Sequence, residues 1–352
     1  MAKWVSSSAL FGAPDLVAKL GGDWAALSAA AELDISENLE PAKVIEVAGL
    51  ARFLALAAET LECESFGLML SQYQGFSVLG SLALLLESAD TIRESLQDLA
   101  AYFPVFTMGA LIALVETKGG IDVKYELAAG TGLPHRHITE LGFGILVKEM
   151  RRHIPGWEPE YITFRHAPPE NSTKHRQFLG KTIHYNADRN SIFINHEDLA
   201  QPTCVRSMQV HGELAAQYNV LREATPGTVT AAVETIVRAF MAHETIHLSK
   251  AATLLGMSRR TLQRKLAEDG TSLAEIIDAV RADLALSYLQ ESRLKVTEIA
   301  EILQFSETSA LSRAVVRWYG QSPRAIKDGA SISLLAASQK PDRKRGAGSL
   351  AH

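Results

Sequence analysis

Apolar residues recur every three to four positions through most of residues 14–100, which is the spacing of one buried face of an α-helix. The stretch from Ala26 to Leu61 follows this pattern, and Pro41 suits the first turn of a helix. Residues 90–106 predict a further helix, and we expect Pro104 to end it because proline disfavours a helical residue before it. The first hundred residues are therefore predicted to be mainly helical.

The pattern then changes to apolar residues at alternate positions, which indicates β-strands with one buried face. Gly119 and Gly120 provide a turn between two such segments. Strands are predicted over Val105–Thr117, Ile121–Ala128, Tyr161–Arg165 and Ser191–Asn195, with a helix over Glu140–His153 and a short one in "KHRQFLG". Strands mixed with helices in one segment favour an α+β domain whose sheet is mostly antiparallel.

The last third of the chain carries one helical pattern twice. Leu248–Gly270 and Val296–Gly320 each consist of a short apolar helix, a tight turn and a second helix with one polar face. Ser258 is expected to cap the second helix of the first copy, and Thr308–Tyr319 forms the second helix of the other copy. Such a second helix is suited to the major groove of DNA, so the repeat predicts two helix-turn-helix units.

A continuous helical pattern, Ser272–Ser292, separates the two copies. A helix of about 20 residues spans roughly 30 Å, so it can hold two recognition helices about one turn of DNA apart. The predicted fold is therefore an α+β N-terminal domain joined to an all-α C-terminal domain. In the latter, a long helix bridges the two helix-turn-helix units.

Composition narrows the class of protein. The 352-residue chain is 47% hydrophobic and 21% charged, which is typical of globular domains and leaves room for two of them. Cys63 and Cys204 are too few for a disulfide framework and indicate a reducing cytoplasm. The start of the chain lacks the apolar core of a signal peptide, and the longest apolar run, Val78–Leu86, is far short of a membrane span. We therefore expect a cytoplasmic protein without a membrane partner.

The net charge of −5 on its own argues against DNA binding, but the charge is unevenly distributed between segments of the chain. Residues 1–227 hold 18 basic and 27 acidic residues, whereas residues 228–328 hold 13 and 12, and residues 329–352 hold 4 and 1. Positive charge is concentrated on the first candidate recognition helix, at Arg259, Arg260, Arg264 and Lys265. Local charge decides contact with phosphates, so this helix is compatible with DNA despite the acidic total.

Residues 228–328 resemble the C-terminal domain of AraC/XylS-type transcription regulators. The resemblance is carried by "LGMSRRTLQRKL", by Arg281 in the bridging helix, by "TEIAEILQF" and by "LSRAVVRWYGQSPRAIK". Gln304 stands where the family usually has glycine, and Val316 where lysine is common. These two departures are expected to weaken the grip of the second unit on DNA, whereas Leu311 and Val315, in place of phenylalanine, keep a packing role.

The segment "YITFRHAPPENSTKHRQFLGKTIHYNADRNSIFINHEDL" resembles the arabinose-binding type of domain in regulators similar to the ornithine and arginine regulators of pseudomonads. The family pattern appears at Phe164, His166, Pro169, Phe178, Gly180 and Asn190. The resemblance implies an effector-sensing and self-associating domain without naming the effector. The expected division is a sensing and dimerisation domain over 1–200, a helical linker over 201–227, a DNA-binding domain over 228–328 and a disordered tail over 329–352.

Arg260, Gln263 and Arg264 share one face of the first recognition helix. Arginine pairs with guanine and glutamine with adenine, and these positions match base-reading residues of the family, while Arg259 and Lys265 are expected to contact phosphates. On the second helix the matching candidates are Thr308, Ser309, Ser312 and Arg313. Their hydroxyls give weaker readout, and Arg313 is equally compatible with a phosphate contact or a structural ion pair. The alternative for both helices is an ordinary solvated face.

Apolar and aromatic residues of the N-terminal domain are candidates for lining an effector pocket, because ligand pockets are lined mainly by such side chains. Each is also compatible with an ordinary core position. The candidates are Phe66, Met69, Tyr73, Phe76, Tyr102, Phe103, Phe106 and Phe143. The eleven histidines show no ligand spacing with a carboxylate or thiol, so we expect no metal and no other cofactor.

These patterns predict a one-component transcription regulator without catalytic residues, because the chain has no nucleophile elbow, Walker loop, dinucleotide fingerprint or zincin helix. Its expected partners are double-stranded DNA, a small-molecule effector, RNA polymerase and a second copy of the chain, with activation the commoner outcome in the family. Two alternatives remain open. One is an enzyme with an accessory DNA-binding module, and the other is an architectural DNA-binding protein without an effector.

Overall fold

The computed structural model describes residues 4–35, 43–107, 109–127, 136–224, 228–241, 246–255, 257–291 and 294–328. Pro41 and the predicted tail over 329–352 lie outside these ranges. The N-terminal elements are β1 (Trp4–Ser6), α1 (Ala13–Lys19), α2 (Trp24–Ala30), β2 (Val44–Glu46), α3 (Val47–Thr60), α4 (Phe66–Ser71), α5 (Ser81–Ser88), α6 (Ile92–Phe106), β3 (Ala110–Glu116), β4 (Gly120–Leu127), α7 (Arg136–His153), β5 (Ile162–Thr163), α8 (Thr173–Leu179), β6 (Ile183–His184), β7 (Ser191–Asn195), α9 (His196–Leu199) and α10 (Met208–Ala224).

The C-terminal part is helical throughout its described residues. Its elements are α11 (Thr228–Phe240), α12 (Leu248–Leu254), α13 (Arg259–Glu268), α14 (Leu273–Glu291), α15 (Val296–Ile302), α16 (Thr308–Tyr319) and α17 (Pro323–Lys327). The pairs α12–α13 and α15–α16 are the two predicted helix-turn-helix units, and α14 is the predicted bridge. The predicted fold class is confirmed.

The main sheet has the strand order β3-β4-β7-β5-β6 and is antiparallel except between β5 and β6. β3 and β4 form a hairpin that pairs from Ala110 opposite Leu127 to Glu116 opposite Ile121. A Cβ atom on Gly120 would lie 2.1 Å from the Ile194 carbonyl oxygen, so the close approach of β4 to β7 requires glycine there. A second, small sheet joins β1 and β2, which the sequence pattern did not predict.

Several boundaries in this region differ from the sequence-based prediction. α6 continues through Pro104 to Phe106, and β3 begins at Ala110 rather than at Val105. Proline in a last turn removes one backbone hydrogen bond, and the Phe103 ring packs edge-on against Tyr125 of β4, with 6.3 Å between ring centres, which holds that turn against the sheet. α7 begins at Arg136 rather than Glu140, and β5 is shorter than predicted.

The predicted helical linker, residues 201–227, contains the helix α10, which is attached to the N-terminal domain. α10 packs against α5 and α6. The hydroxyl groups of Tyr218 and Ser81 lie 2.8 Å apart, and His211 Nε2 lies 2.7 Å from Asp98 Oδ2. The chain therefore reaches the helix-turn-helix region from a fixed point on the N-terminal domain.

Each part of the chain has its own apolar core. Phe53, Phe66, Phe143 and Phe164 are fully buried in the N-terminal core. The C-terminal core combines residues of the bridge α14 with apolar side chains of both second helices. These side chains are Leu262, Leu266, Leu311 and Val315. Every second helix therefore turns its apolar side inward and leaves its other side for solvent or a partner.

Candidate functional site

The second helix of the first unit, α13, is capped at its N-terminus and is amphipathic. Ser258 Oγ accepts a hydrogen bond from the Thr261 amide at 3.1 Å, as expected of an N-cap. Leu262 and Leu266 are buried, and the predicted DNA-contacting residues lie on the remaining surface. Arg259, Arg260, Gln263 and Arg264 are exposed, and Lys265 is half-buried.

Arg264 of α13 makes only a weak ion pair within the described part of the chain. Arg264 Nη1 lies 2.7 Å from Glu268 Oε1, and both side chains are more than half exposed. An exposed pair of this kind contributes little to stability, because water screens it and two long side chains must be ordered. Arg264 can therefore exchange Glu268 for a nucleic-acid acceptor at small cost.

The second helix of the other unit, α16, is bonded largely to itself. Its N-cap residue Glu307 makes no side-chain capping bond but lies 3.2 Å from Arg313 Nη2. Arg313 Nη1 also donates to Ser309 Oγ at 3.3 Å, and Ser312 Oγ donates to the Thr308 carbonyl at 3.0 Å. Ser309 and Arg313 are exposed, whereas Thr308 and Ser312 are half-buried. The face of α16 is thus less basic and less free than that of α13.

The turn before α16 keeps its shape without the usual glycine. Gln304 has φ of 58°, in the left-handed region that favours glycine. Arg281 Nη2 donates to the Gln304 carbonyl at 3.3 Å, and its guanidinium lies 5.0 Å from the centre of the Phe305 ring. The bridge α14 therefore holds this turn from outside. The corresponding turn residue of the first unit, Gly256, lies outside the described residues.

The bridge also fixes the far end of α16. Asp278 on α14 accepts hydrogen bonds from Arg317 at 2.5 Å and from the Trp318 indole at 3.0 Å. α11 packs against both α13 and α14, so the first unit is joined to the same helix through α11. The two candidate reading helices are therefore carried by one helical scaffold.

Buried charged groups form part of the contact between the two halves of the chain. On the N-terminal side, Arg165 makes two hydrogen bonds to Glu126, at 2.5 and 2.6 Å. On the C-terminal side, Arg238 on α11 donates to Asp283 on α14 at 2.9 Å and lies 4.0 Å from Glu126. These four side chains are each at most 5% exposed. We call them, with Tyr288, the interdomain ion cluster.

Tyr288 on α14 closes the cluster. The Arg165 guanidinium lies over the Tyr288 ring, with 5.4 Å between the guanidinium carbon and the ring centre. The Tyr288 hydroxyl donates a hydrogen bond to the Asp188 carbonyl. Burial would lower the pKa of Arg165, but the Glu126 carboxylate outweighs burial and raises that pKa. Charges buried this well are costly to leave unpaired, so the cluster favours the arrangement of the two halves in this structure.

The N-terminal domain contains an apolar cavity of about 110 Å³. α3, α6, β3, β4 and α7 supply most of its walls. Four of the predicted effector-pocket residues line it, namely Phe76, Phe103, Phe106 and Phe143. The other four do not, because Phe66 is buried in the core beside Phe53, and Met69, Tyr73 and Tyr102 lie away from the cavity.

Three histidines converge on one buried carboxylate, a feature that the sequence analysis missed. His175 Nε2 lies 2.8 Å from Glu140 Oε1, His166 Nε2 lies 3.6 Å from it, and His137 Nδ1 lies 3.7 Å from Oε2. Arg136 also donates to Glu140, at 2.9 Å. Burial lowers the pKa of His166 to about 4, so this ring is neutral at physiological pH.

The histidines are directed at the carboxylate rather than at a shared point. Among the described residues, no group of three or more His, Cys, Asp or Glu side chains is arranged to hold a metal ion. The cluster joins α7 to α8 and to the loop after β5 and so has a structural role. Its signals in the sequence were His166 in the family pattern and His175 in "KHRQFLG".

No described helix is long and apolar enough to cross a membrane.

Comparison with known proteins identifies the architecture. Residues 21–203 match the model of the arabinose-binding domain of AraC transcription regulators, and residues 251–329 match a helix-turn-helix domain. The chain belongs to the AraC family of transcription regulators. It is thus a DNA-binding regulator and not an enzyme, which confirms the interpretation of the repeated motif.

The chain is also similar to individual proteins. The chain is 27% identical to the HTH-type transcriptional regulator VirS of Mycobacterium tuberculosis, over 94% of this chain and 98% of that protein. It is 24% identical to the ornithine utilization regulator of Pseudomonas aeruginosa, over 75% of this chain and 78% of the relative. The crystal structure of the transcriptional regulator CdpR from P. aeruginosa is 19% identical, with a TM-score of 0.41 over 86% of this chain and 96% of that one.

Proposed function

We propose that this regulator reads its DNA site mainly through α13 and is controlled by a small molecule bound in the N-terminal domain. The observation that carries the proposal is the face of α13, where Arg260, Gln263 and Arg264 are exposed directly above the buried Leu262 and Leu266. Guanidinium and amide groups at such spacing suit the edges of guanine and adenine. α16 would add phosphate contacts through Arg313 and weaker contacts through Thr308, Ser309 and Ser312.

Two substitutions on α13 separate base reading from phosphate contact. Gln263→Ala should relax preference at one base position and cost ~1–3 kcal/mol on the best site. Arg259→Ala should weaken binding to all sequences alike and reduce the salt dependence by about one phosphate contact. Binding selection from random DNA, followed by titrations at several salt concentrations, measures both. An unchanged sequence preference for Gln263→Ala would contradict the assigned role.

The ion cluster supports control of the DNA-binding half by the N-terminal half. An effector acts by having different affinity for two arrangements of the protein, and the cluster stabilises one of them. Glu126→Gln keeps the side chain's shape but removes its charge, leaving Arg165 and Arg238 buried without a carboxylate partner on β4. Tyr288→Phe is a milder variant that removes the hydrogen bond to Asp188.

These variants are measured by DNA affinity of the full chain, with circular dichroism to show that they fold. We expect at least a severalfold change for Glu126→Gln and a smaller one for Tyr288→Phe. The matched control is Glu116→Gln, since Glu116 lies in the same sheet but pairs with Arg93 at an exposed site. Equal effects at Glu116 and Glu126 would rule out a special role for the cluster.

Self-association is supported by the outer face of α10. Met208, Val220 and Leu221 are large apolar residues exposed on this helix, and Val210 lies on the same face as Leu221, three turns away. We propose that α10 pairs with α10 of a second copy. Leu221→Glu should shift the sedimentation profile from dimer to monomer, whereas Val44→Glu, at another exposed apolar position, should not. A monomeric parent protein would contradict the proposal.

By resemblance to the family we further propose activation of transcription through RNA polymerase. A promoter–reporter fusion carrying the selected DNA site tests the direction of control. Higher reporter output with the regulator than without it supports activation, and lower output would show repression.

A further inference from the structure

Few of the described residues that line the apolar cavity have polar side chains. Of its described lining residues, none is charged, and the polar side chains are Gln74, Thr107 and Tyr125. Gln74 Nε2 donates to the Ala9 and Phe11 carbonyls at 3.0 and 2.9 Å, and Thr107 Oγ1 donates to the Trp4 carbonyl at 2.9 Å. The hydrogen-bond donors of Gln74 and Thr107 are therefore directed at the backbone and not at the cavity.

Tyr125 differs from those two. Its ring packs edge-on against Phe103 and Phe143, with ring centres 6.3 and 6.4 Å away, and rests over the α7 backbone at Gly142. Its hydroxyl has no hydrogen-bond partner among the described residues, although it borders the cavity. Burial raises the pKa of this phenol, so it stays protonated and can donate.

A cavity with such walls selects against charge. Transfer of an ion into apolar surroundings without a partner is strongly unfavourable, whereas apolar cavities of similar size stay dry and take up molecules such as benzene. An amino acid with charged amino and carboxylate groups would find no counter-charge among the described lining residues. Ornithine, which the name of one relative mentions, does not suit this site.

We infer that the cavity binds a neutral, mainly apolar small molecule that carries one hydrogen-bond acceptor for the Tyr125 hydroxyl. This inference rests on the proposed effector control and names the chemical class of the effector. The ligand buries a short alkyl chain or a single ring against Phe103 and Phe143. Its polar group, an alcohol, ketone or ester oxygen, accepts from Tyr125.

The position of the cavity explains how binding of such a ligand can influence the DNA-binding half. Side chains alternate along β4, so Val123, Tyr125 and Leu127 line the cavity, whereas Lys124 and Glu126 border the interdomain ion cluster. α6 and β3, which wall the cavity, also contact α11. One strand thus has the ligand on one face and the ionic contact with the DNA-binding half on the other.

The test uses the full chain and a series of six-carbon probes that differ only in head group. Hexan-1-ol, hexanoate and hexylammonium are compared at neutral pH by thermal shift and calorimetry, with toluene as a probe without a polar group and L-ornithine as the charged alternative. We expect saturable stabilisation by hexan-1-ol and toluene, with hexan-1-ol bound at least tenfold more tightly than either ion. Ornithine should produce no shift. Equal or tighter binding of hexanoate, hexylammonium or ornithine would overturn the inference.

Two variants show that binding occurs in this cavity. Tyr125→Phe should weaken hexan-1-ol roughly three- to tenfold and leave toluene unchanged, because one hydrogen bond is lost. Its matched control is Tyr185→Phe, which removes a buried, unpartnered hydroxyl that does not border the cavity. Leu99→Phe fills the cavity from α6 and should weaken both probes, whereas Leu96→Phe, on the same helix but off the cavity, should not. Hexan-1-ol binding that survives both Tyr125→Phe and Leu99→Phe would refute the site.

DNA binding is measured on the same protein samples. Absence of any probe binding, together with intact sequence-specific binding that depends on Arg260, would overturn the cavity inference and leave the DNA-reading proposal standing. Loss of that dependence on Arg260 would instead contradict the proposed DNA reading, whatever the probes do.

Discussion

The two helix-turn-helix units share one architecture but differ in what their second helices offer to DNA. α13 is capped by Ser258 and exposes two arginines and a glutamine along one face, with Arg264 held only by an exposed ion pair. α16 has no side-chain cap, and both of its exposed arginines are paired, Arg313 with Glu307 and Ser309 and Arg317 with Asp278. The comparison teaches that a duplicated scaffold can separate base reading from anchoring, because packing requires only the apolar positions to be kept.

The largest expected difference between the units is in DNA affinity. Arg260→Ala should cost ~1–3 kcal/mol on the selected site and relax preference at one base position, since its guanidinium has no competing partner among the described residues. Arg313→Ala should cost under about 1 kcal/mol and weaken all sequences alike. Electrophoretic or fluorescence titration of both variants on selected and scrambled DNA measures the difference. If Arg313→Ala lost more specificity than Arg260→Ala, the roles of the two helices would be reversed.

The next effect concerns helix capping. Ser258→Ala removes the bond to the Thr261 amide and should destabilise α13 by about 1 kcal/mol. Glu307→Ala, at the equivalent position of α16, should change stability little, since no capping bond is lost. Hydrogen exchange of the amides in each helix reports the two effects separately. Equal loss of protection in both helices would show that capping does not distinguish them.

A smaller effect is expected at the turn of the second unit. Gln304→Gly should stabilise it by roughly 0.5–1 kcal/mol, because glycine adopts positive φ without the steric cost of a side chain, a gain partly offset by its greater freedom when unfolded. Trp318 is the tryptophan of the C-terminal part, so its fluorescence during urea unfolding follows this unit once Trp4, Trp24 and Trp157 are replaced by phenylalanine in both proteins. A lower midpoint for the variant would mean that the Gln304 side chain contributes contacts worth more than the strain.

The smallest effect comes from releasing the arginines. Glu307→Gln frees Arg313 from its ion pair and should raise DNA affinity slightly. Glu268→Gln releases Arg264 in the first unit in the same way and serves as the matched comparison. Both are measured by titration at low salt. Weaker binding by either variant would show that the carboxylate positions its arginine for DNA.

Sequence reasoning succeeded where local signals govern the structure. α16 spans the predicted Thr308–Tyr319, β7 spans the predicted Ser191–Asn195, and Ser258 caps α13 as expected. In each case the spacing of apolar residues and the flanking cap or turn residue are close together in the chain. The boundary at Pro104 was wrong because tertiary contacts of the last turn, such as that of Phe103 with Tyr125 on β4, outweigh the local preference of proline.

Only half of the residues predicted for an effector pocket line the apolar cavity, because aromatic residues of a core and of a cavity give the same signal in the sequence. Phe66 and Phe143 are both almost completely buried, yet only Phe143 lines the cavity. Tyr125, the residue on which its chemistry depends, was read as one apolar position of an alternating strand. The three histidines around Glu140 come from α7, the loop after β5 and α8, so their convergence requires the assembled fold.

The sequence by itself determined the class of protein, because a helix-turn-helix is a local motif and its repetition is visible in the spacing of apolar, turn and basic residues. Only the tertiary structure decided whether the polar face of β4 is exposed to solvent or buried. Lys124 and Glu126 alternate with Val123, Tyr125 and Leu127 like a solvated face, yet they are buried against the DNA-binding half. Which surface covers a strand depends on residues more than a hundred positions away, and alternation along one strand carries no information about them.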